Sequence, residues 1–129
     1  WARVRAVDYA RVRRTFGQPI GGHQAVQMLL AQSASDIYAA ETMLVDCALK
    51  LERGERALAE TSMVKQHCTD AANRVFDRCI QVHGGMGLTN EMRLEEGYRF
   101  TRSMRSPDGT SEIQKRTVAR DMLANGVNF

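Results

Sequence analysis

The sequence predicts an all-α fold, an antiparallel four-helix bundle, on three observations. Ala, Leu, Met, Gln, Glu and Arg are abundant, whereas the 129-residue chain holds only two prolines and 6% aromatic residues; straight-chain residues lose little rotamer freedom in a helix. Apolar residues recur at alternating steps of four and three over long stretches, which is the period of a helix seam and not of a strand. The breaks between the longest stretches are short, and short breaks set consecutive helices antiparallel. The length suits one domain, and 43% apolar against 26% charged residues excludes a wholly disordered chain.

The first helix is predicted over residues 1–14, where Val4, Ala6, Tyr9, Ala10 and Val12 mix with arginines until Phe16-Gly17-Gln18-Pro19 stops it. The chain opens without Met and already reads as helix, so the expectation is a fragment whose first helix is truncated. A second helix over residues 22–53 carries the seam Val26, Leu30, Ser33, Ile37, Ala40, Leu44, Cys47 and Leu51, a bundle signature. Gly54 breaks the run. A third helix over residues 55–82 turns Val64, Cys68, Ala71, Val75, Cys79 and Val82 inward. His83-Gly84-Gly85-Met86-Gly87 interrupts it, and Thr89 or Asn90 caps a shorter, polar helix over residues 91–104. Ser106-Pro107-Asp108-Gly109 forms a turn before a last helix over residues 111–124, where Ser111 and Gln114 have capping-box spacing.

Charge and cysteine content narrow the function classes. The net charge is +3; Arg3, Arg5, Arg11, Arg13 and Arg14 against Asp8 give the first fourteen residues alone +4, which leaves the remaining chain close to neutral. No aromatic interleaving or known module accompanies that charge, so nucleic-acid binding is not expected. No stretch is apolar for long enough to cross a bilayer and no signal peptide opens the chain. Cys47, Cys68 and Cys79, odd in number and set in apolar stretches, read as buried thiols of a reducing compartment, the cytoplasm or the mitochondrial matrix. His23, His67 and His83 lack the spacing of metal ligands, and no metal site is expected.

Three corners depart from plain bundle logic: residues 13–19, 81–87 and 108–112. Unpaired donors at helix N-termini attract anions, and glycines let a ligand approach the main chain. Each corner alone also reads as punctuation that ends a helix, and no strand precedes the glycine corner, which excludes a dinucleotide fingerprint. Their joint order weighs more than any one of them.

Arg13-Arg14-Thr15-Phe16-Gly17-Gln18-Pro19-Ile20 followed by His23-Gln24, then Gln81-Val82-His83-Gly84-Gly85-Met86-Gly87, then Tyr98-Arg99 and Asp108-Gly109-Thr110-Ser111-Glu112-Ile113-Gln114 together resemble the acyl-CoA dehydrogenases across essentially the whole chain. The resemblance implies the C-terminal helical bundle of a flavoprotein, with an N-terminal helical domain and a middle β-domain absent from residues 1–129. It implies FAD as cofactor, an acyl-CoA substrate, an electron-transferring flavoprotein or similar acceptor, and a homodimer or homotetramer. Carried over by position, Arg13, Thr15, Phe16, His23 and Gln24, with Gln81, Val82, His83, Gly84 and Gly85, contact the FAD of a neighbouring subunit. Thr110 and Glu112, with Ser111 between them, approach the FAD of their own subunit, and Gly109 lies beside the thioester.

By the same resemblance Asp108 is the base that removes the α-proton while a hydride leaves the β-carbon. Much of the family has glutamate there, so the reach is shorter by one methylene, about 1.5 Å. Phe100 and Pro107 also depart from the usual pattern. Flavin oxidases acting on nitroalkanes carry aspartate at this point, and some relatives place the base upstream of this chain. The alternatives to a dehydrogenase are therefore a flavin-dependent oxidase or monooxygenase of the same fold, or a non-catalytic helical interaction module.

Overall fold

The computed structural model describes residues 1–127. Among them five helices follow one another: α1 (Ala2–Val12), α2 (Gln24–Glu52), α3 (Leu58–His83), α4 (Leu94–Ser103) and α5 (Ser111–Asn125). Two short strands, β1 (Arg14–Thr15) and β2 (Gln18–Pro19), pair antiparallel, and single 3₁₀ turns cover Ile20–Gly22 and Gly84–Leu88.

The central rod is α3, on which α1, α2, α4 and α5 all pack. Its sequence dictates this, because Ala71, Val75, Cys79 and Val82 are buried one helical step apart. They meet Ala2, Ala6 and Ala10, a buried stripe at four-residue spacing on α1, whose small side chains let the backbones close up. Leu94 of α4, fully buried, and Ile20 complete the core. A Cβ at Gly97 would fall 2.1 Å from the Phe76 ring, so α4 lies this close to α3 only because glycine stands there. Across the outer face Asp36 of α2 takes Arg74 at 2.8 Å and Arg78 at 2.6 Å from α3. The Arg74 hydrogen bond, helped by Arg78, holds the Asp36 carboxyl down at about 2. Cys47 and Cys79 are buried and Cys68 half-buried; burial pushes the Cys79 thiol up to about 11 and raises Cys68 too, which leaves little nucleophilic thiolate.

Several boundaries differ from the sequence expectation. Helix α1 ends at Val12, because Arg13 is already extended (φ −68°, ψ 130°) and feeds a hairpin. Its two central residues, Phe16 (φ 50°) and Gly17 (φ 82°), are both left-handed, as a type I′ turn requires to match strand twist. Helix α4 starts at Leu94 rather than residue 91. The Thr89 hydroxyl donates to the Met86 carbonyl at 2.8 Å, closing the 3₁₀ turn instead of capping the helix. Helix α5 has Thr110 as its N-cap; Ser111 is buried, and Gln114 reaches the Asp108 carbonyl at 2.8 Å, so no capping box forms.

The second-helix seam is only half closed. Helix α1 runs antiparallel to α2 and its Trp1 end reaches the level of Ile37, Ala40 and Glu41. Beyond that level Leu44 and Leu51, predicted inward, are exposed together with Val45 and Leu49.

Candidate functional site

The first two corners converge. The C-terminal ends of α1 and α3 and the N-terminal end of α2 meet around a groove of about 690 Å³ lined by Tyr9, Arg13, Thr15, Ile20, His23, Val26, Gln81, Val82, His83, Gly84, Gly85 and Met86. Eight of the sequence-predicted site residues therefore share one wall system, although 58 residues of chain separate His23 from Gln81. Only α2 turns an N-terminus to the groove, and its N-cap His23 makes no side-chain cap bond. The first-turn amides of α2 keep their anion-attracting character, and the Arg13 guanidinium adds positive charge that the C-terminal ends of α1 and α3 do not supply.

The hairpin organises the donors on this wall. Gln18 Nε2 lies 3.2 Å from His23 Nδ1, and His23 Nε2 lies 3.2 Å from Thr15 Oγ1 and 3.4 Å from the Thr15 carbonyl. Since an amide N–H only donates and a carbonyl only accepts, the arrangement selects the His23 tautomer with its proton on Nε2. Thr15 Oγ1 then accepts from His23, which leaves its own hydroxyl proton available to donate. At the hairpin tip Phe16 is 96% exposed, with its ring edge-on to His23 at 6.0 Å. A left-handed aromatic residue with no burial is unusual enough to suggest function. Replacing Phe16 with Asn, which tolerates this backbone, is expected to stabilise the protein by about 1 kcal/mol. An unchanged or lowered urea midpoint would show that the turn holds no strain.

The second corner bares main chain. Gly84 adopts φ 57°, ψ −140°, a region restricted to glycine, and a Cβ built at Gly84 or Gly85 meets nothing within 4 Å. The main chain at both positions is therefore bare and not packed against other elements. Val82 and His83 are buried and shape the wall. His83 Nδ1 donates to the Cys79 carbonyl at 2.7 Å and its ring stacks on Tyr9 with centroids 4.4 Å apart. Gln81, Gln24 and Phe16 are exposed, the last two outside the groove lining.

The third corner stands apart. Asp108 (φ 55°) and Gly109 (φ 94°) form a second left-handed pair, with Asp108 exposed. The Gly109 carbonyl accepts from Lys65 Nζ at 2.6 Å, and Lys65 lies 18 residues before His83 on α3, about 27 Å along the axis. One copy of the chain therefore does not bring Asp108 into the groove. Thr110 stands at the N-cap position of α5 without a side-chain cap bond; the Glu112 carboxyl is lowered by its own backbone N–H first and by the Thr110 hydroxyl second. Ser111 faces inward, its Oγ 3.5 Å from Arg105 Nε. Sequence reasoning missed Lys65, Gln18 and Tyr9; the only signal for Lys65 was a lysine next to the apolar seam residue Val64. Among the described residues no group of His, Cys, Asp or Glu could hold a metal ion, and no helix is long and apolar enough to cross a membrane.

Residues 1–123 match the family model for the acyl-CoA dehydrogenase C-terminal domain. The 3-(aryl)acrylate reductase of Clostridium sporogenes is 35% identical over 92% of this chain and 31% of its own length. The (R)-benzylsuccinyl-CoA dehydrogenase of Thauera aromatica is 36% identical over 95% of this chain and 30% of its own. The structure of PigA in complex with FAD superposes with a TM-score of 0.92 at 26% identity, covering 97% of this chain and 33% of that one. The chain thus spans about a third of the length of the curated relatives it matches.

Proposed function

Since the chain belongs to the acyl-CoA dehydrogenase family, whose C-terminal domain it matches over residues 1–123, we propose that it is the helical-bundle part of a larger FAD enzyme that dehydrogenates an acyl-CoA thioester. The observation that carries this reading is the groove in which Arg13, Thr15, His23, Gln81, Gly84 and Gly85 meet. Its chemistry fits a flavin nucleotide. A guanidinium and the α2 N-terminus suit a pyrophosphate, bare glycine main chain admits a flat or extended ligand, and the exposed Phe16 ring can extend the contact. PigA, bound to FAD in its own structure, shares the architecture.

The division of the corners along α3 supports a site shared between two protomers. One protomer contributes the groove and the other the Asp108 turn, with Gly109 beside the thioester and Thr110 and Glu112 toward the cofactor. The exposed apolar face of Leu44, Val45, Leu49 and Leu51 supports a homodimer or homotetramer, because monomers rarely leave such patches open. When bound, FAD supplies the acceptor for the hydride that leaves the substrate β-carbon. The Asp108 carboxylate takes the α-proton, both C–H bonds break, and the α,β double bond forms. An electron-transferring flavoprotein or similar partner reoxidises the enzyme, in the cytoplasm or the mitochondrial matrix.

The reductase relative favours a second reading, in which the same residues run the chemistry toward a saturated product. Full-length protein purified and titrated anaerobically with acyl-CoA thioesters decides. Bleaching of the flavin band by a saturated thioester supports dehydrogenation, whereas reoxidation of reduced enzyme by the unsaturated thioester alone supports the reductase direction. Rapid turnover with oxygen and no carrier moves the protein to an oxidase. Protein that carries no flavin and takes up none overturns the proposal and leaves a helical interaction module. In the same assay Phe16→Asn is expected to bind FAD about tenfold more weakly.

A further inference from the structure

The turn that carries Asp108 is braced by a side chain with no place in the reading above. Lys65 projects from α3, and its Nζ donates to the Gly109 carbonyl at 2.6 Å and the Arg105 carbonyl at 3.3 Å. Lys50 makes the contrast: its ammonium pairs with the Glu60 carboxylate at 2.8 Å, whereas Lys65 gives its donors to main chain on both sides of Asp108. Gln114 Nε2 takes the Asp108 carbonyl itself at 2.8 Å. Arg105, at the start of the turn, is also held from α3, by Asp70 at 2.7 Å.

Such bracing has a physical reason. Asp108 has φ 55°, a conformation that a non-glycine residue keeps only where its surroundings over-determine it. A turn freed at its 105 and 109 carbonyls relaxes toward the right-handed region and swings the Asp108 Cα–Cβ bond with it. The carboxylate then points elsewhere, although no group that touches the substrate has changed.

We propose that Lys65 is a positioning residue for the Asp108 carboxylate, acting through the carbonyls of Arg105 and Gly109. The proposal rests on Asp108 being the base. The test compares Lys65→Met, which fills the space without donors, and Lys65→Arg, which restores them, in the complete FAD-loaded enzyme. In the Met variant amide exchange across residues 106–111 is expected to rise about tenfold with the rest of α3 and α5 unchanged. Anaerobic flavin reduction by substrate is expected to slow about 100-fold, the cost of misplacing a reacting group by about 1 Å. The substrate dissociation constant should stay within about threefold, since a transition-state contact is what has been lost, and Arg should recover both rate and exchange protection.

Fast local exchange with a normal rate overturns the proposal, and so does slow reduction with exchange unchanged. General loss of protection or of FAD in both variants makes Lys65 a folding residue and overturns it equally. If Asp108→Asn is reduced normally, the base assignment fails and the positioning role falls with it. The exchange measurement, which needs no substrate, then still reports whether Lys65 braces the turn, so the two failures are told apart.

Discussion

Replacing Asp108 with Asn in the complete enzyme is expected to slow flavin reduction by substrate about 10²–10⁴-fold, the contribution of a positioned general base, while FAD content and stability stay as they were. The two halves of that expectation come from different features of one residue. An amide cannot take the α-proton, so the chemical step is lost. Asn is also the side chain that best tolerates left-handed backbone, so φ 55° at this position is kept. The main-chain carbonyls of residues 108 and 109 still meet Gln114 and Lys65. Anaerobic stopped-flow absorbance measures the step directly. Reduction of the variant at the wild-type rate moves the base away from Asp108.

Gly87→Ala is expected to destabilise the protein by about 1–3 kcal/mol, the range for overpacking a filled site, and to release FAD. A Cβ at Gly87 would lie 2.7 Å from the Ile80 carbonyl oxygen and 2.9 Å from the Ile80 Cα. Both are backbone atoms of α3 and cannot turn aside as a side chain does. The strain must move the 3₁₀ turn of Gly84–Leu88, and with it the bare main chain of Gly84 and Gly85 that walls the groove. Gly85→Ala is the matched control, because a Cβ there meets nothing within 4 Å; it should fold normally. Urea midpoints and the flavin-to-protein ratio of the two variants settle the matter, and equal midpoints would show that the 3₁₀ turn yields freely.

The long helices were legible because burial imposes period on sequence. Ser33 and Cys47 on α2 and Ala71, Val75, Cys79 and Val82 on α3 lie where the four-and-three rhythm places them. Leu44 and Leu51 obey the same rhythm yet are exposed; periodicity names an apolar face without naming what covers it. The hairpin of β1 and β2 was invisible, since two-residue strands carry no period, and its turn has Phe where asparagine or glycine is the usual signal. Local signals also competed at the start of α4. Thr89 is a good cap by type, but its hydroxyl is taken by Met86.

The site was legible as composition and less so as geometry. Arg13, His23, Gln81 and Gly84 were named by the resemblance that the corner motifs carry, and the structure gathers them in one groove. That Asp108 sits at the other end of α3 follows from helix packing, which no local motif encodes. Lys65 escaped notice for a related reason: its partners are carbonyls, and every residue has one, so no pattern of side chains announces the contact.

The distance along α3 between groove and turn has a genetic corollary. If each active centre draws its two halves from different polypeptides, a subunit damaged at Gly87 and another damaged at Asp108 are each inert as pure populations. Mixed together they generate some centres with both halves sound, so two null alleles in one cell restore part of the activity that neither gives by itself.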